Sequence, residues 1–403
     1  MPVAFLLGVI SHLMPITQLD QQPSKFRDHT HASSTTNAIL NLARSAPGIV
    51  TPVAEWDSHP MLLNTPSAVY DLTTGLEINR EGLLFTQVTR VAPDKSPTPI
   101  WNKFMLEIFN GDLAMVEFMQ RLAGYCLTGS VKEQKLFFFY GSGGNGKSVW
   151  LEVLRSVCGK YSHNLPGEAL MTSRHERHPT TFAALHGKRL AISSEIDESA
   201  QWAEARIKSL TGDETMTARF MGKDEFTFNI THKHLIAGNF KPRLKGDDPA
   251  VVRRMVLIPF EQTFEGTSRD NNLAEKLRTE YGGILAWFIE GARKWVESGL
   301  AMPHAVVAAS EAYMAENSDI DLWISECCAI SKGSSTSASA LYTDFASWKR
   351  RNGENVPSIK NFSQRLERRH QKTVTRKCTL FNGLRLLEIL ADDGVQTVPA
   401  TLF

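Results

Sequence analysis

Residues Phe137–Ser148 read FFFYGSGGNGKS, an apolar run that passes into the pattern G-x-x-x-x-G-K-S. Glycines at this spacing let successive backbone N–H groups converge on phosphate oxygens, while Lys147 reaches the β- and γ-phosphates and Ser148 ligates Mg²⁺. A glycine-rich surface turn is the alternative, but the flanking residues have the lengths of a buried strand and a packed helix. The stretch therefore predicts an ATP and Mg²⁺ site. Its predicted phosphate-binding residues are Gly141, Ser142, Gly143, Gly144, Asn145, Gly146, Lys147 and Ser148.

The composition is that of an ordinary globular protein. The length of 403 residues predicts two or three domains. The content of 42% hydrophobic and 22% charged residues predicts that these domains have hydrophobic cores. Five cysteines without C-x-x-C spacing favour neither a zinc ribbon nor a disulfide framework, so we expect a reducing cytoplasm. The apolar first fourteen residues lack the basic start of a signal peptide, and no run reaches the ~18 apolar residues of a spanning helix. We expect no membrane partner.

Charge is distributed unevenly along the chain. The net charge is +1, yet the stretch from Lys349 to Lys377 holds ten basic and two acidic residues, a local balance of +8 that leaves −7 for the remainder. A compact basic segment on an acidic body is typical of a module that binds a polyanion, most often nucleic acid.

Three further apolar runs follow the glycine-rich loop: Arg189–Ser193, Thr231–Ala237 and Met255–Phe260. Helical or loop sequence separates them, and this alternation is typical of a parallel α/β sheet. Hydrolysis of ATP needs an acid at the end of a second strand to hold Mg²⁺ and activate water. Glu195 is the predicted acid and metal residue, and Asp197 is a candidate to share either role. The alternative is that Glu195 only sits exposed at a strand end.

More motifs occur downstream in a recognisable order. Lys208–Arg219 reads KSLTGDETMTAR, a strand-like run ends at Asn239, and Val251–Phe260 reads VVRRMVLIPF. With the phosphate loop and a strand ending in a glutamate, this order resembles the superfamily III helicases of the phage and plasmid primase-helicase type, a group that includes the poxvirus replicative primase-helicase. The resemblance covers residues 71–260 and, more loosely, the C-terminal part.

The resemblance assigns roles to several of these residues. It implies that Asn239 positions the attacking water and that Arg253 or Arg254 acts as an arginine finger in the site of a neighbouring subunit. Such a finger requires a ring, and the family implies a homo-hexamer. A surface salt bridge is the alternative for the arginine pair. The resemblance also implies a hairpin that contacts one DNA strand, and we expect Lys223 near its tip, although a solvated turn lysine fits equally well.

The C-terminal sequence predicts a winged-helix domain. A helix over Ala340–Arg351 precedes a second one that starts near Pro357, and Thr373–Leu387 alternates as a hairpin with its turn near Asn382-Gly383. A solvated charged face is the alternative to a DNA-binding one. The outward, DNA-binding side chains of the second helix are predicted to include Lys360, Arg365 and Arg368.

Taken together, the sequence predicts an α/β protein with a P-loop, AAA+-like parallel sheet. The predicted parts are an N-terminal mainly helical module (1–112), a superfamily III helicase ATPase domain (113–268), a helical segment (269–318) and a C-terminal winged-helix domain (319–403).

The expected function is that of an ATP-dependent replicative DNA helicase of a phage, plasmid or prophage, working in the cytoplasm of a bacterial host on single-stranded and forked DNA. No primase module is expected, since the chain has neither the room nor the cysteine spacing for one, so a separate primase is the expected partner. The alternatives are a DNA-binding replication or partition ATPase that acts as an assembly switch without unwinding, and an inactive prophage fragment.

Overall fold

The computed structural model describes residues 37–38, 41–42, 51–172, 180–194, 200–244, 248–266, 269–270, 272–316, 318–353, 355–376 and 378–387. They fall into two compact units, one within Met1–Ser58 and Gly82–Thr86 and the other comprising His59–Glu81 and Gln87–Phe403. In the first unit, Trp56 pairs with Leu84, and the Asp57 carboxylate accepts a hydrogen bond from the Thr86 N–H at 3.1 Å. All strands and α-helices named below belong to the second unit.

The strands are, in chain order, β1 (Leu62–Asn64), β2 (Val69–Asp71), β3 (Leu76–Ile78), β4 (Leu136–Tyr140), β5 (Ser162–Asn164), β6 (Leu190–Ser193), β7 (Thr215–Arg219), β8 (Glu225–Asn229), β9 (Lys233–Gly238), β10 (Met255–Pro259), β11 (Cys328–Ser337), β12 (Lys372–Val374) and β13 (Thr379–Leu386). The α-helices are α1 (Pro99–Ile108), α2 (Leu113–Leu127), α3 (Lys147–Cys158), α4 (Thr180–Ala183), α5 (Glu204–Gly212), α6 (Pro249–Val252), α7 (Leu273–Arg278), α8 (Tyr281–Ser298), α9 (His304–Glu316), α10 (Asp319–Cys327), α11 (Ala338–Arg351) and α12 (Ile359–Glu367). None of the helices in the described part of the chain is both long and apolar enough to span a bilayer.

A five-stranded parallel sheet is the centre of the second unit. Its order is β10-β4-β9-β6-β5, and every neighbouring pair runs parallel. Leu136–Phe139 of β4 are fully buried, as a strand covered on both faces requires. The predicted α/β class is confirmed, and the three apolar runs after the glycine-rich loop form β6, β9 and β10. The sequence did not predict β5, because its three residues Ser162–Asn164 are polar and lie at the sheet edge.

Two helices pack on this sheet with their backbones almost in contact. A Cβ atom added at Gly124 of α2 would lie 1.9 Å from the backbone nitrogen of Ala292 in α8, and one added at Gly291 would lie 2.0 Å from the Gln120 carbonyl oxygen. Both helices contribute buried side chains to the same hydrophobic core as the sheet. The predicted helical segment 269–318 is therefore not separate from the predicted ATPase domain 113–268.

Residues 51–98 differ from the predicted mainly helical module. In place of helices they form a short 3-10 turn and the antiparallel sheet β1-β2-β3. The turn between β2 and β3 is fixed by Asp71, whose carboxylate accepts the Thr73 N–H at 2.8 Å, and by Gly75 at φ +75°. Helix α1 follows this sheet in the sequence, and the buried Glu280 carboxylate accepts the Ile100 and Trp101 N–H groups of its first turn at 2.9 and 2.8 Å.

The C-terminal residues have a core of their own. Helices α10, α11 and α12 pack against an antiparallel sheet of order β11-β13-β12 around buried Trp323, Phe345 and Phe362. The hairpin turn predicted near Asn382-Gly383 is wrong, because β12 and β13 are joined between Val374 and Thr379, which pair with each other before Asn382 is reached. Gly383, at φ +82°, instead lies inside β13, opposite the irregular part of β11.

Candidate functional site

The glycine-rich loop connects β4 to α3 in the strand-loop-helix arrangement that the motif predicts. Gly143, Gly144 and Gly146 have φ values of +105°, +59° and +87°, a region that glycine enters at little cost. Helix α3 begins at Lys147. Successive residues with left-handed backbone form a concavity of N–H groups suited to anions, and the helix N-terminus adds its positive end. The shape of the loop fits a chain of phosphates.

Lys147 is buried at the base of this loop. Its ammonium group donates to the carbonyl oxygen of Gly141 at 2.7 Å, to Asn145 Oδ1 at 3.0 Å and to Asn239 Oδ1 at 3.2 Å. Burial lowers the pKa of Lys147 to about 8. Among the described residues no carboxylate lies within ion-pair distance of it. A buried cation held only by neutral oxygens is the arrangement that an incoming anion would complete.

Asn239 lies next to Lys147 because β9 is the immediate neighbour of β4. In their parallel register Gly238 is opposite Tyr140, so the residues that follow both strands meet at the carboxyl edge of the sheet. The sequence predicted this side chain as the residue that positions water, and the structure places it beside the phosphate loop. Ser148, one residue into α3, is exposed and accessible to a metal ion.

The predicted acids follow strand β6 in the sequence. Strand β6 runs parallel to β9, and Ser193 at its end is opposite Ile236. Glu195 and Asp197 lie outside the described residues.

Of the two arginines before β10, one is buried and the other is exposed. The Arg254 guanidinium packs against Gly212, where an added Cβ would lie 2.6 Å from Nη2, and it donates to the Ala250 carbonyl oxygen at 2.5 Å. Arg253 is exposed, and its backbone oxygen accepts a hydrogen bond from Lys135. The sequence left the choice between them open, since burial against Gly212 depends on how α5 meets α6.

Arg253 lies far from the phosphate loop of its own chain. Strands β10 and β4 are parallel, with Met255 opposite Leu136, so Arg253 is at the amino edge of the sheet and the loop is at the carboxyl edge. Five strand residues at about 3.3 Å each separate the two edges by about 17 Å. Arg253 therefore cannot contact phosphates bound to the loop of the same chain.

The predicted hairpin forms from β7 and β8, with residues 220–224 as its tip. Lys223 is exposed there, as predicted, and so are Phe220 and Met221, with 47% and 80% of their surface exposed. Phe220 stacks on Phe226 at 5.3 Å between ring centroids, and Phe226 stacks on Phe228 at 5.6 Å. The sequence did not single out this aromatic row, although its alternate spacing in β8 places both rings on one face.

The C-terminal basic segment is less exposed than its charge suggests. Arg365 does not lie on the outer face of α12, because it forms a buried ion pair with Asp319 of α10, and Lys349 reaches the same carboxylate at 2.7 Å. Arg369 pairs in the same way with Asp321. Lys360 and Arg368 are exposed, as predicted.

Comparison with known proteins agrees with this architecture. Residues 9–110 match a family described as D5 N terminal like, and residues 139–254 match a family of unknown function (DUF5906). The fowlpox virus protein named Primase D5 is 28% identical over 161 residues, which are 38% of this chain and 20% of that protein. Over these stretches the chain resembles the poxvirus D5-type primase-helicases. The "Putative helicase L207/L206" of Acanthamoeba polyphaga mimivirus is 27% identical over 277 residues, which are 62% of this chain and 28% of that protein.

The chain also shares its fold with a solved structure. The apo A form of the NrS-1 C-terminal region superposes with a TM-score of 0.50 at 16% identity, over 72% of this chain and 66% of that one. The "Putative helicase 184R" of Invertebrate iridescent virus 6 is 24% identical over 357 residues, which are 77% of this chain and 36% of that protein. The chain thus spans between 20% and 36% of the length of the three curated relatives named here.

Proposed function

We propose that this chain is the motor subunit of an ATP-dependent replicative DNA helicase of a phage, plasmid or prophage. The observation that carries the proposal is the buried Lys147, which has no anionic partner among the described residues, contacts Asn239 and lies under a concave glycine loop. Relatives named as helicases and a primase support a role in DNA replication.

In the proposed site, the phosphates of ATP lie along the loop N–H groups and Lys147. Lys147 then exchanges its contacts with Gly141 and Asn145 for the β- and γ-oxygens, and Asn239 orients the attacking water. Mg²⁺, when bound, neutralises charge on the β- and γ-phosphates. Ser148 is its ligand in this proposal, with Glu195 as the second metal residue and Glu195 or Asp197 as the base.

The arginine finger in this proposal is Arg253. Arg253 is exposed and lies at the edge of the sheet opposite the phosphate loop, so it does not act at the loop of its own chain. The Arg254 side chain, by contrast, is buried and hydrogen-bonded to the Ala250 carbonyl oxygen. Delivery of Arg253 to a neighbouring subunit requires a closed, heterologous contact between copies, and the D5-type resemblance favours a hexameric ring.

Two exposed features are proposed to contact DNA. The β7–β8 tip combines Lys223, suited to a backbone phosphate, with Phe220, suited to stacking on a base. The C-terminal order of helix, strand, two helices and two strands supports the predicted winged helix, with Lys360 and Arg368 as candidate phosphate contacts.

The test is unwinding of a forked duplex with ATP and Mg²⁺, alongside ATP hydrolysis with and without single-stranded DNA. Strand separation that depends on ATP is expected. Hydrolysis stimulated by DNA without strand separation would instead favour an ATPase that acts as an assembly switch. Absence of both hydrolysis and DNA binding would favour an inactive fragment.

A further inference from the structure

The segment that follows β10 forms a second wall beside the phosphate loop. The N–H of Phe264 donates to the Gly144 carbonyl oxygen at 2.8 Å, so residues 261–266 run alongside the loop. Between the two lies a cleft of about 860 Å³. Its lining residues are Ser142, Gly143, Gly144, Thr263, Phe264, Glu265, Gly266 and Arg269.

This wall is held to the loop at more than one point. The Phe260 N–H donates to the Tyr140 carbonyl oxygen at 2.8 Å, and the Asn145 side chain donates to the Phe260 carbonyl oxygen at 3.2 Å. A Cβ added at Gly144 would touch the Phe264 carbonyl oxygen at 3.4 Å. The cleft is therefore part of the folded site, because the same residues that shape the loop also anchor its second wall.

Two charged side chains line the cleft, Arg269 and Glu265. Arg269 is exposed and forms no ion pair with any residue that the structure describes. The adjacent Asp270 is already paired with Lys276 at 2.6 Å, so it does not neutralise Arg269. An arginine that lines the same cleft as a phosphate-binding loop can form short, charge-assisted hydrogen bonds to phosphate oxygens bound there.

We propose that Arg269 binds the phosphate chain of the nucleotide held by the loop of the same subunit. This inference rests on the proposed function, because it places the nucleotide at the loop. It makes the site two-sided, with Lys147 below the phosphates and Arg269 across the cleft from Ser142, Gly143 and Gly144.

The experiment is calorimetric titration of the full chain with ATP, ADP and adenosine in the presence of Mg²⁺. The variants are Arg269→Ala, Arg269→Lys and Lys147→Ala, and the matched control is Arg278→Ala, an exposed arginine on α7 outside the cleft. Loss of one charge-assisted contact is expected to weaken ATP and ADP binding about tenfold to a hundredfold in Arg269→Ala. Arg269→Lys should recover part of the loss, and Arg278→Ala should bind as the wild type does.

Each outcome has a distinct meaning. If Lys147→Ala loses nucleotide binding but Arg269→Ala binds like Arg278→Ala, the role of Arg269 is refuted while the proposed function stands. An equal loss of affinity for adenosine in Arg269→Ala would refute a phosphate contact. If the wild type binds neither ATP nor ADP, the proposed function fails and this inference fails with it.

Discussion

The ammonium group of Lys147 donates a hydrogen bond to the side-chain oxygen of Asn239 at 3.2 Å, across a sequence separation of 92 residues. The contact exists because β4 and β9 are adjacent and parallel, so that the loop after one strand meets the residue after the other. A cation and a water-positioning amide are thereby brought to the same point at the carboxyl edge of the sheet. Neighbouring strand ends are where open α/β sheets bind their ligands.

Replacement of Lys147 should remove nucleotide binding. Lys147→Ala deletes the buried cation that we expect to contact the β- and γ-phosphates, so ATP hydrolysis should fall to background, as measured by phosphate release. Binding of duplex DNA should persist, because the C-terminal residues have a separate core.

Lys332→Ala is the matched control, since Lys332 is an exposed lysine of β11, away from the loop and from Arg253. Hydrolysis at the wild-type rate in Lys147→Ala would contradict the site assignment.

Arg253→Ala should lower the rate of hydrolysis about a thousandfold, as expected for removal of an arginine finger. Its affinity for ATP should change little, because Arg253 does not reach the loop of its own chain. The sharpest measurement mixes Arg253→Ala with Lys147→Ala subunits. In some interfaces an intact loop then meets an intact Arg253, so the mixture should hydrolyse ATP faster than either variant alone.

Arg254→Ala serves as the contrast. Its guanidinium is buried against Gly212, so this variant should mainly lower the free energy of unfolding. A mixture of Arg253→Ala and Lys147→Ala that stays inactive, although the subunits associate, would argue against a finger supplied in trans.

Much of the site was predictable because its signals are local. The glycine spacing before Lys147 has few conformational solutions, and the apolar runs that became β6, β9 and β10 have the character of buried parallel strands. The hairpin around Lys223 was predictable for the same reason. Each of these features is encoded within about ten neighbouring residues.

Features set by distant partners could not be predicted in this way. Arg365 shares a helix with Lys360, yet it is turned inward by Asp319, which lies 46 residues earlier in the chain. The burial of Arg254 depends on Gly212 at the end of α5, a separate part of the sequence. Helical periodicity identifies the polar face of a helix, but it does not show which polar side chains on that face form buried ion pairs. The strands β1, β2 and β3 could not be predicted for another reason, since three residues are too few to show any period.

Arg365→Met should therefore lower the stability of the C-terminal core, and this effect should be larger than any direct effect on DNA binding. It leaves Asp319 with Lys349 as its remaining ion-pair partner, and we expect a loss of about 3 kcal/mol in the free energy of unfolding, measured by urea denaturation. Burial alone would raise the pKa of Asp319, but Arg365 and Lys349 hold that pKa below its usual value. The contribution of Asp319 should be complete above about pH 4 and should be lost as pH falls through its lowered pKa.

Lys360→Met is the control for this substitution. Lys360 is on the same helix but exposed, so the free energy of unfolding of this variant should differ from that of the wild type by less than about 0.5 kcal/mol. If the two variants unfold at the same urea concentration, the ion pair contributes nothing to the fold.

The hairpin tip offers a separate test of DNA contact. Lys223→Ala should weaken binding of single-stranded DNA and reduce the slope of affinity against salt by about one unit, because one phosphate contact is lost. Phe220→Ala should weaken binding by about 1 to 3 kcal/mol without changing that slope, since stacking is not ionic. Fluorescence anisotropy of a labelled oligonucleotide at several salt concentrations measures both effects. Identical salt slopes in the wild type and Lys223→Ala would show that this lysine is only a solvated turn residue.

The burial of Lys233 should make the stability of the protein depend on pH, whether or not nucleotide is bound. It is buried at the start of β9, where its ammonium group donates to the carbonyl oxygens of Thr128 and Thr231, and burial lowers its pKa to about 7. Between pH 7 and pH 9 the unfolded chain binds a proton at this position that the folded chain lacks, so stability should rise with pH.

Comparison with Lys233→Met isolates this effect from the other groups that titrate. The free energy of unfolding of the wild type, relative to the variant, should rise by at most about 1.4 kcal/mol per pH unit from pH 7 to pH 9 and stay level below pH 7. Cys126 and Cys158, whose pKa values are raised by burial, are present in both proteins and largely cancel in the difference. A difference that does not vary between pH 6 and pH 9 would mean that Lys233 keeps its proton in the folded protein.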